Sequence, residues 1–364
     1  MSVISKQSKT AIVLFNLGGP NSLQAVQPFL FNLFFDKAIL RVPLPIRWML
    51  ARLISKKRAP VAQEIYKQLG GKSPILENTK AQADAIRERL QHSGNVEIFI
   101  CMRYWHPMSE ETVRRVKEYQ PDHIILLPLY PQFSTTTTAS SFSDWVKTAA
   151  RQGVKTTTTT LCCYPTLDGW VEAVTDLLVA AYQKAQASGT PRILFSAHGL
   201  PEKIVLTGDP YQKQVEQTTQ AVMEKMNQRL PATAFDYVNC YQSRVGPLKW
   251  IGPSTDESII RAGEDKVPVV LVPIAFVSEH SETLVELDIE YKHLAEKHGV
   301  KEYIRVPTVS THPAFIEGLA NLCLSVTQKG FHCPWDGEDN CENDEAVTQD
   351  TLLTLGQDPK QEAA

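Results

Sequence analysis

The 364-residue chain has no apolar run long enough to span a bilayer; its longest, residues 267–277, is interrupted by Pro268 and Pro273. The polar start leads into the apolar residues 11–17, which are too few for a secretory signal and lack a small-residue cleavage site. A cytoplasmic protein is therefore expected, either fully soluble or peripheral at the inner membrane. An excess of positive charge is missing too. With 37 Lys and Arg against 40 Asp and Glu, the net charge of -3 offers no field for a nucleic acid. Seven cysteines is an odd count, and a reducing compartment keeps thiols as thiols, so metal ligation or burial is expected rather than a disulfide framework. Phosphate-cradling glycines are absent as well. Gly70-Gly71-Lys72-Ser73 looks like the end of a P-loop, but Tyr66 stands where the first glycine is needed and no strand precedes it. Asn16-Leu17-Gly18-Gly19-Pro20 follows a strand but lacks the dinucleotide spacing.

What is present is a large potential core, with 43% hydrophobic residues, and 23 prolines that mark turns. Short β-branched runs at 11–17, 96–100, 123–127, 156–161, 193–195, 235–238, 267–272 and 303–306 read as strands. Helix-period stretches at 79–90, 110–118, 170–186, 211–228 and 281–297 lie between them. That alternation predicts an α/β protein with parallel sheets covered on both faces, with sites beyond the carboxyl ends of the strands. Residues 11–20 and 192–201 echo each other, each an apolar run followed by a turn with Gly and Pro. The reading is of two similar halves with a cleft between them: 1–150, 151–330, and an acidic, Cys-containing tail at 331–364. The last helix of the second half is a candidate to pack back on the first.

Ser196-Ala197-His198-Gly199-Leu200-Pro201 places a histidine just past a buried strand. There it either ligates a metal and accepts protons, or satisfies turn backbone groups. Glu279, Glu282 and Glu286 are three and four apart, which on an α-helix forms one acidic face, either a cation and proton path or a solvated stripe. Residues 29–60 join Phe29, Leu30, Phe31, Leu33, Phe34 and Phe35 to a second apolar stretch ending at Leu50, followed by Arg52, Lys56, Lys57 and Arg58. This is either core with solvated lysines or a lip for an anionic membrane.

Seven stretches in this order resemble the ferrochelatases over residues 11–327: Asn16–Pro20, Gly70–Pro74, Arg103–Pro107, Tyr130–Phe133, Ser196–Pro201, Cys240–Pro247 and Glu279–Asp288. The resemblance implies two Rossmann-like domains with parallel four-stranded sheets, the chelatase fold, and a porphyrin held in the cleft. It also implies a lyase that inserts ferrous iron, as substrate, into protoporphyrin IX in the last step of haem biosynthesis. His198 and Glu282 match the metal-handling residues, with Glu286 and Asp288 further along an acidic path. Arg58, Ser73, Arg103 and Tyr104 match positions tied to porphyrin carboxylates or the pocket wall, and Trp250 matches an aromatic near the macrocycle. Leu17 replaces the tyrosine of the coproporphyrin-using branch, which favours protoporphyrin IX. Some members carry a [2Fe–2S] cluster on four cysteines; here Cys163, Cys323, Cys333 and Cys341 are the candidates, with Cys162 as alternative, and plain thiols are the other reading. The competing functions are a chelatase for coproporphyrin III or a cobalamin precursor, and a porphyrin or metal carrier without chemistry.

Overall fold

The structure is a computed structural model that describes residues 2–231, 233–244, 246, 248–326 and 331–332. It divides into two compact units, Met1–Tyr164 with the chain from Leu319 onward, and Pro165–Gly318. In the first unit, β1 (Lys9–Asn16), α1 (Val26–Phe35), α2 (Leu44–Gln68), α3 (Ile75–Leu90), β2 (Asn95–Met102), α4 (Ser109–Tyr119), β3 (His123–Pro128), α5 (Thr138–Arg151) and β4 (Thr157–Leu161) follow one another. The second unit runs through α6 (Asp168–Ala185), β5 (Arg192–His198), α7 (Glu202–Leu206), α8 (Tyr211–Arg229), β6 (Asp236–Gln242), α9 (Thr255–Glu264) and β7 (Val269–Pro273). A π-helix (Glu282–Glu290), α10 (Tyr291–Lys297), β8 (Tyr303–Arg305) and α11 (Pro313–Ser325) follow, and β9 (Phe331–His332) comes last.

Every strand pair is parallel, in the orders β2-β1-β3-β4-β9 and β6-β5-β7-β8. The eight expected strands are all present, and the four of the first sheet are joined at the edge by the two-residue β9. Central strands bury both faces: Ala11–Phe15 of β1 and Ile193–Phe195 of β5 are at most 1% exposed. This explains why they read as unbroken apolar runs rather than as alternating ones. The echo between 11–20 and 192–201 has a structural counterpart. Both runs form the first strand of a sheet in which the chain steps to one side and then crosses to the other. That reversal opens a crevice at the carboxyl ends, where sites form.

The boundary differs from the expected 150/151. It falls between Tyr164 and Pro165, because β4 pairs with β3 from His123↔Thr157 to Leu126↔Thr160 and so completes the first sheet. The helix expected at 281–297 also differs, since residues 282–290 are π-helical. A π-helix is rare, and where one occurs it is frequently at a functional site.

Candidate functional site

In the second unit, β5 ends on His198 and β6 ends on Gln242, and these two residues face each other in register. The chain can turn sharply after His198 because residue 199 is glycine. A Cβ there would lie 2.9 Å from the Gln242 carbonyl oxygen, 3.2 Å from Arg244 Cγ and 3.3 Å from the Trp250 ring. Opposite, the π-helix begins at Glu282, whose Oε2 lies 2.9 Å from His198 Nδ1. The two residues, 84 apart in sequence, make an ion pair that still exposes 42% and 27% of its side chains, so a ligand can reach it.

Glu286 lies behind this pair. Ser243 donates its backbone N–H to Oε1 at 3.0 Å and its hydroxyl to Oε2 at 2.6 Å, and Gln242 Nε2 donates to Oε2 at 3.4 Å. Ser243 adopts φ +60, left-handed for a non-glycine residue, and this aims both of its donors at one carboxylate. Gln242 is itself oriented by Ser196, whose hydroxyl donates to Gln242 Oε1 at 2.8 Å.

The electrostatics separate the three groups. Burial opposes ionisation of Glu282, but His198 beside it and His280 hold its carboxyl down to about 2. Burial alone would lower His198; the Glu282 and Glu286 charges more than reverse that and raise it. Burial, then the Glu282 charge, lifts Glu286 up to about 7 despite the Ser243 hydrogen bonds. The arrangement is thus a histidine–carboxylate pair in which each partner favours the charged form of the other, backed by a carboxyl that titrates near neutrality. Carboxylates whose environments push their pKa values apart suit complementary roles in proton transfer.

The single acidic stripe does not form. Glu279 precedes the helix and accepts from Arg305 Nη1 at 2.6 Å and from the Thr308 N–H at 2.9 Å. Asp288 takes the rest of the same guanidinium, at 2.8 and 2.6 Å. Arg305, 9% exposed on the side chain, therefore draws Glu279 and Asp288 into a structural triad and leaves Glu282 and Glu286 with His198. Asp288 is held by this ion pair rather than lying open along a path. Trp250 sits by the His198 turn: it bridges Pro201, and its indole N–H is buried without a hydrogen-bond partner among the described residues.

The remaining candidates lie in the first unit. Arg103 donates Nε to Ser140 at 2.8 Å and Nη2 to Asp36 Oδ2 at 2.9 Å, and the Tyr104 hydroxyl donates to the same oxygen at 2.8 Å. The Ser140 hydroxyl joins them on Asp36. Asp36, with a side chain only 6% exposed, is therefore the organising residue of this cluster. Sequence reasoning missed it because an Asp just after a helix reads as an ordinary turn residue. Leu17 and Tyr104 pack in one apolar cluster with Phe29, Leu30 and Phe34. Ser73 is buried against Gly19, and Arg58 is exposed with its guanidinium 5.7 Å over the Phe34 ring.

Phe29 and Leu30 are core, while Phe31, Leu33, Phe34 and Phe35 of the expected lip are half-buried. Leu44, Ile46, Trp48, Met49 and Leu53 on α2 are exposed instead. Among the described residues no helix is long and apolar enough to cross a membrane.

Cys162, Cys163 and Cys323 are fully buried, and burial pushes the Cys323 thiol up to about 12. Cys333 and Cys341 lie outside the described residues. No group of three or more His, Cys, Asp or Glu able to hold a metal occurs among the described residues, which include only three of the five candidate cysteines. A surface cavity of about 500 Å³ lined by Lys184, Lys292, Glu296 and Arg305 does not include His198, Glu282 or Glu286.

The family model for ferrochelatase matches residues 9–326. The ferrochelatase of Wolbachia sp. subsp. Drosophila simulans (strain wRi) is 52% identical over 320 residues, covering 87% of this chain and 99% of the relative. That of Caulobacter vibrioides (strain NA1000 / CB15N) is 53% identical over 315 residues, covering 86% and 88%. Among solved structures, SirB from Bacillus subtilis with Fe3+ superposes at a TM-score of 0.48 with 15% identity, over 87% of this chain and 96% of SirB.

Proposed function

The chain belongs to the ferrochelatase family, and from that premise we propose that it inserts ferrous iron into protoporphyrin IX to give protohaem. The observation that carries the site assignment is the 2.9 Å His198–Glu282 pair at the strand ends, with Glu286 ordered behind it. Metallation replaces the two inner N–H protons of the porphyrin by one divalent cation, so two protons must leave for each iron that enters. Glu282, ionised throughout the neutral range, is the hard oxygen donor that receives the iron. Once a cation occupies that carboxylate, the charge that held the His198 proton is neutralised. His198 then releases its proton to solvent, which its part-exposed side chain reaches, and becomes the base that takes up a pyrrolic proton. Glu286, poised near 7, takes up and releases protons at working pH.

Arg58 and Ser73 are assigned to the porphyrin carboxylates. In the first unit Leu17 and Tyr104 are assigned to an apolar wall that Arg103 orders through Asp36, and in the second unit Trp250 is assigned to contact with the macrocycle. The exposed Arg52, Lys56 and Lys57 of α2, with its exposed apolar residues, suit an anionic lipid surface that supplies a poorly soluble substrate. A [2Fe–2S] cluster on Cys163 or Cys162 with Cys323, Cys333 and Cys341 takes no part in these steps. Its test is visible absorbance of the purified protein before any substrate is added.

The function is tested by anaerobic turnover with ferrous iron and protoporphyrin IX, followed by loss of porphyrin fluorescence, beside His198→Ala and Glu282→Gln. Turnover abolished in both variants while porphyrin still binds supports the assignment. Turnover only with coproporphyrin III or with cobalt replaces the substrate. Porphyrin binding without turnover in the unmodified protein leaves a carrier.

A further inference from the structure

Behind Glu286 the hydrogen-bond chain continues to solvent. Tyr291, the first residue of α10, is 5% exposed and packs in one apolar cluster with Ile259 and Ala262 of α9. Its hydroxyl oxygen lies 3.3 Å from Glu286 Oε1 and 3.2 Å from Asp256 Oδ2. A phenol has one proton and free lone pairs, so between two carboxyl groups it donates to one while it accepts from the other. Asp256 is exposed in the first turn of α9, a helix fixed in place by the Ser254–Glu257 capping box. The opposite side of Glu286 is closed by Ser243 and Gln242, both of which donate to it. A half-buried carboxyl is thereby joined to an exposed one through a single neutral hydroxyl.

We propose that Tyr291 and Asp256 form the outlet by which protons stripped from the porphyrin leave the site. This rests on the reading that the chain metallates a porphyrin. The O–H bond of protonated Glu286 breaks as that proton binds the Tyr291 oxygen. In the same step the original phenolic O–H bond breaks and its proton binds Asp256. Asp256 releases the proton to water, and rotation of the hydroxyl restores the start. No electrons change hands and no co-reactant is consumed. The route leaves by α9 and does not touch Asp288, which Arg305 occupies.

The test uses the full-length protein carrying Tyr291→Phe, which removes one oxygen, and separately Asp256→Asn, which still accepts a hydrogen bond but takes no proton. In steady-state turnover with ferrous iron and protoporphyrin IX, Tyr291→Phe is expected to lower kcat about tenfold, less than the roughly 10²- to 10⁴-fold carried by a direct acid–base group. The porphyrin KM stays unchanged, and the solvent deuterium isotope effect on kcat rises because proton export becomes limiting. Asp256→Asn moves kcat and the isotope effect in the same direction by less. A purely structural tyrosine would alter stability or KM and leave the isotope effect alone. Unmodified protein that turns over, with both variants showing its kcat and isotope effect, overturns the outlet alone. If the unmodified protein shows no metallation at all, the parent reading fails and the outlet with it. If Tyr291→Phe does not fold, the exposed Asp256→Asn decides the matter.

Discussion

Replacing Glu286 by Gln should make the protein more stable in alkali while it damages turnover. The carboxyl is raised from 4.5 to about 7, first by burial and then by the Glu282 charge. A carboxyl raised on folding contributes stability that is fully present below its unfolded value of 4.5 and is lost as pH rises to about 7. Over that window the native protein loses up to about 3 kcal/mol on account of this residue, at about 1.4 kcal/mol for each tenfold change in proton affinity. Sharing of the proton affinity with Glu282 and His198 brings the expected loss nearer to about 2 kcal/mol. Gln keeps the shape and the acceptor for the Ser243 N–H, yet has no proton to lose. Urea denaturation of both proteins at intervals from pH 5 to pH 8 isolates the effect of Glu286 and the two groups coupled to it, because titrating groups that do not interact with Glu286 cancel in the difference. The variant's advantage should be smallest at pH 5, grow by about 2 kcal/mol by pH 8, and appear as a gain of roughly 4–8 °C in melting temperature. A difference that stays flat across this range, or that falls as pH rises, would refute the electrostatic account of the site.

Asp36→Ala leaves the Arg103 guanidinium without its buried carboxylate and should cost about 3 kcal/mol in urea, with Arg103→Met restoring part of the loss in the double variant. Strict additivity of the two changes would show that the pair is not coupled. Gly169→Ala would place a Cβ 2.3 Å from the Ala314 carbonyl oxygen and 2.9 Å from Gly318 Cα, where α6 meets the start of α11. Backbone cannot yield as a side-chain tip does, so a loss of about 1–3 kcal/mol or more is expected by thermal melt, and an unchanged melt would contradict the close approach. Trp48→Glu with Leu53→Glu, exposed by 47% and 58%, should leave the fold intact and abolish sedimentation with anionic phosphatidylglycerol vesicles. Undiminished sedimentation would remove α2 from membrane contact.

The strands and the position of the histidine were legible from the local sequence pattern alone. Parallel strands buried on both faces appear as short apolar runs, and a histidine directly after such a run followed by glycine lands at the strand's carboxyl end. Spacing along one segment was a poorer guide. Glu279, Glu282 and Glu286 look like neighbours at α-helical period, but the helix is a π-helix that begins only at Glu282. Arg305, on another strand, then captures Glu279 and Asp288. The same limitation hid Asp36, Gln242 and Ser243. Each acquires its role from partners far along the chain, and Ser243 also needs a left-handed backbone that no residue type announces.

The domain boundary was misplaced for a related reason. β4 is a recognisable strand, but only its pairing with β3 assigns it to the first sheet. Local pattern thus determined which segments are strands and helices, and the family motifs named the residues to examine. Which carboxylate meets the histidine, which is held by an arginine, and which titrates near neutrality was decided by tertiary structure. Burial and pairing depend on groups that are adjacent in space and scattered in sequence.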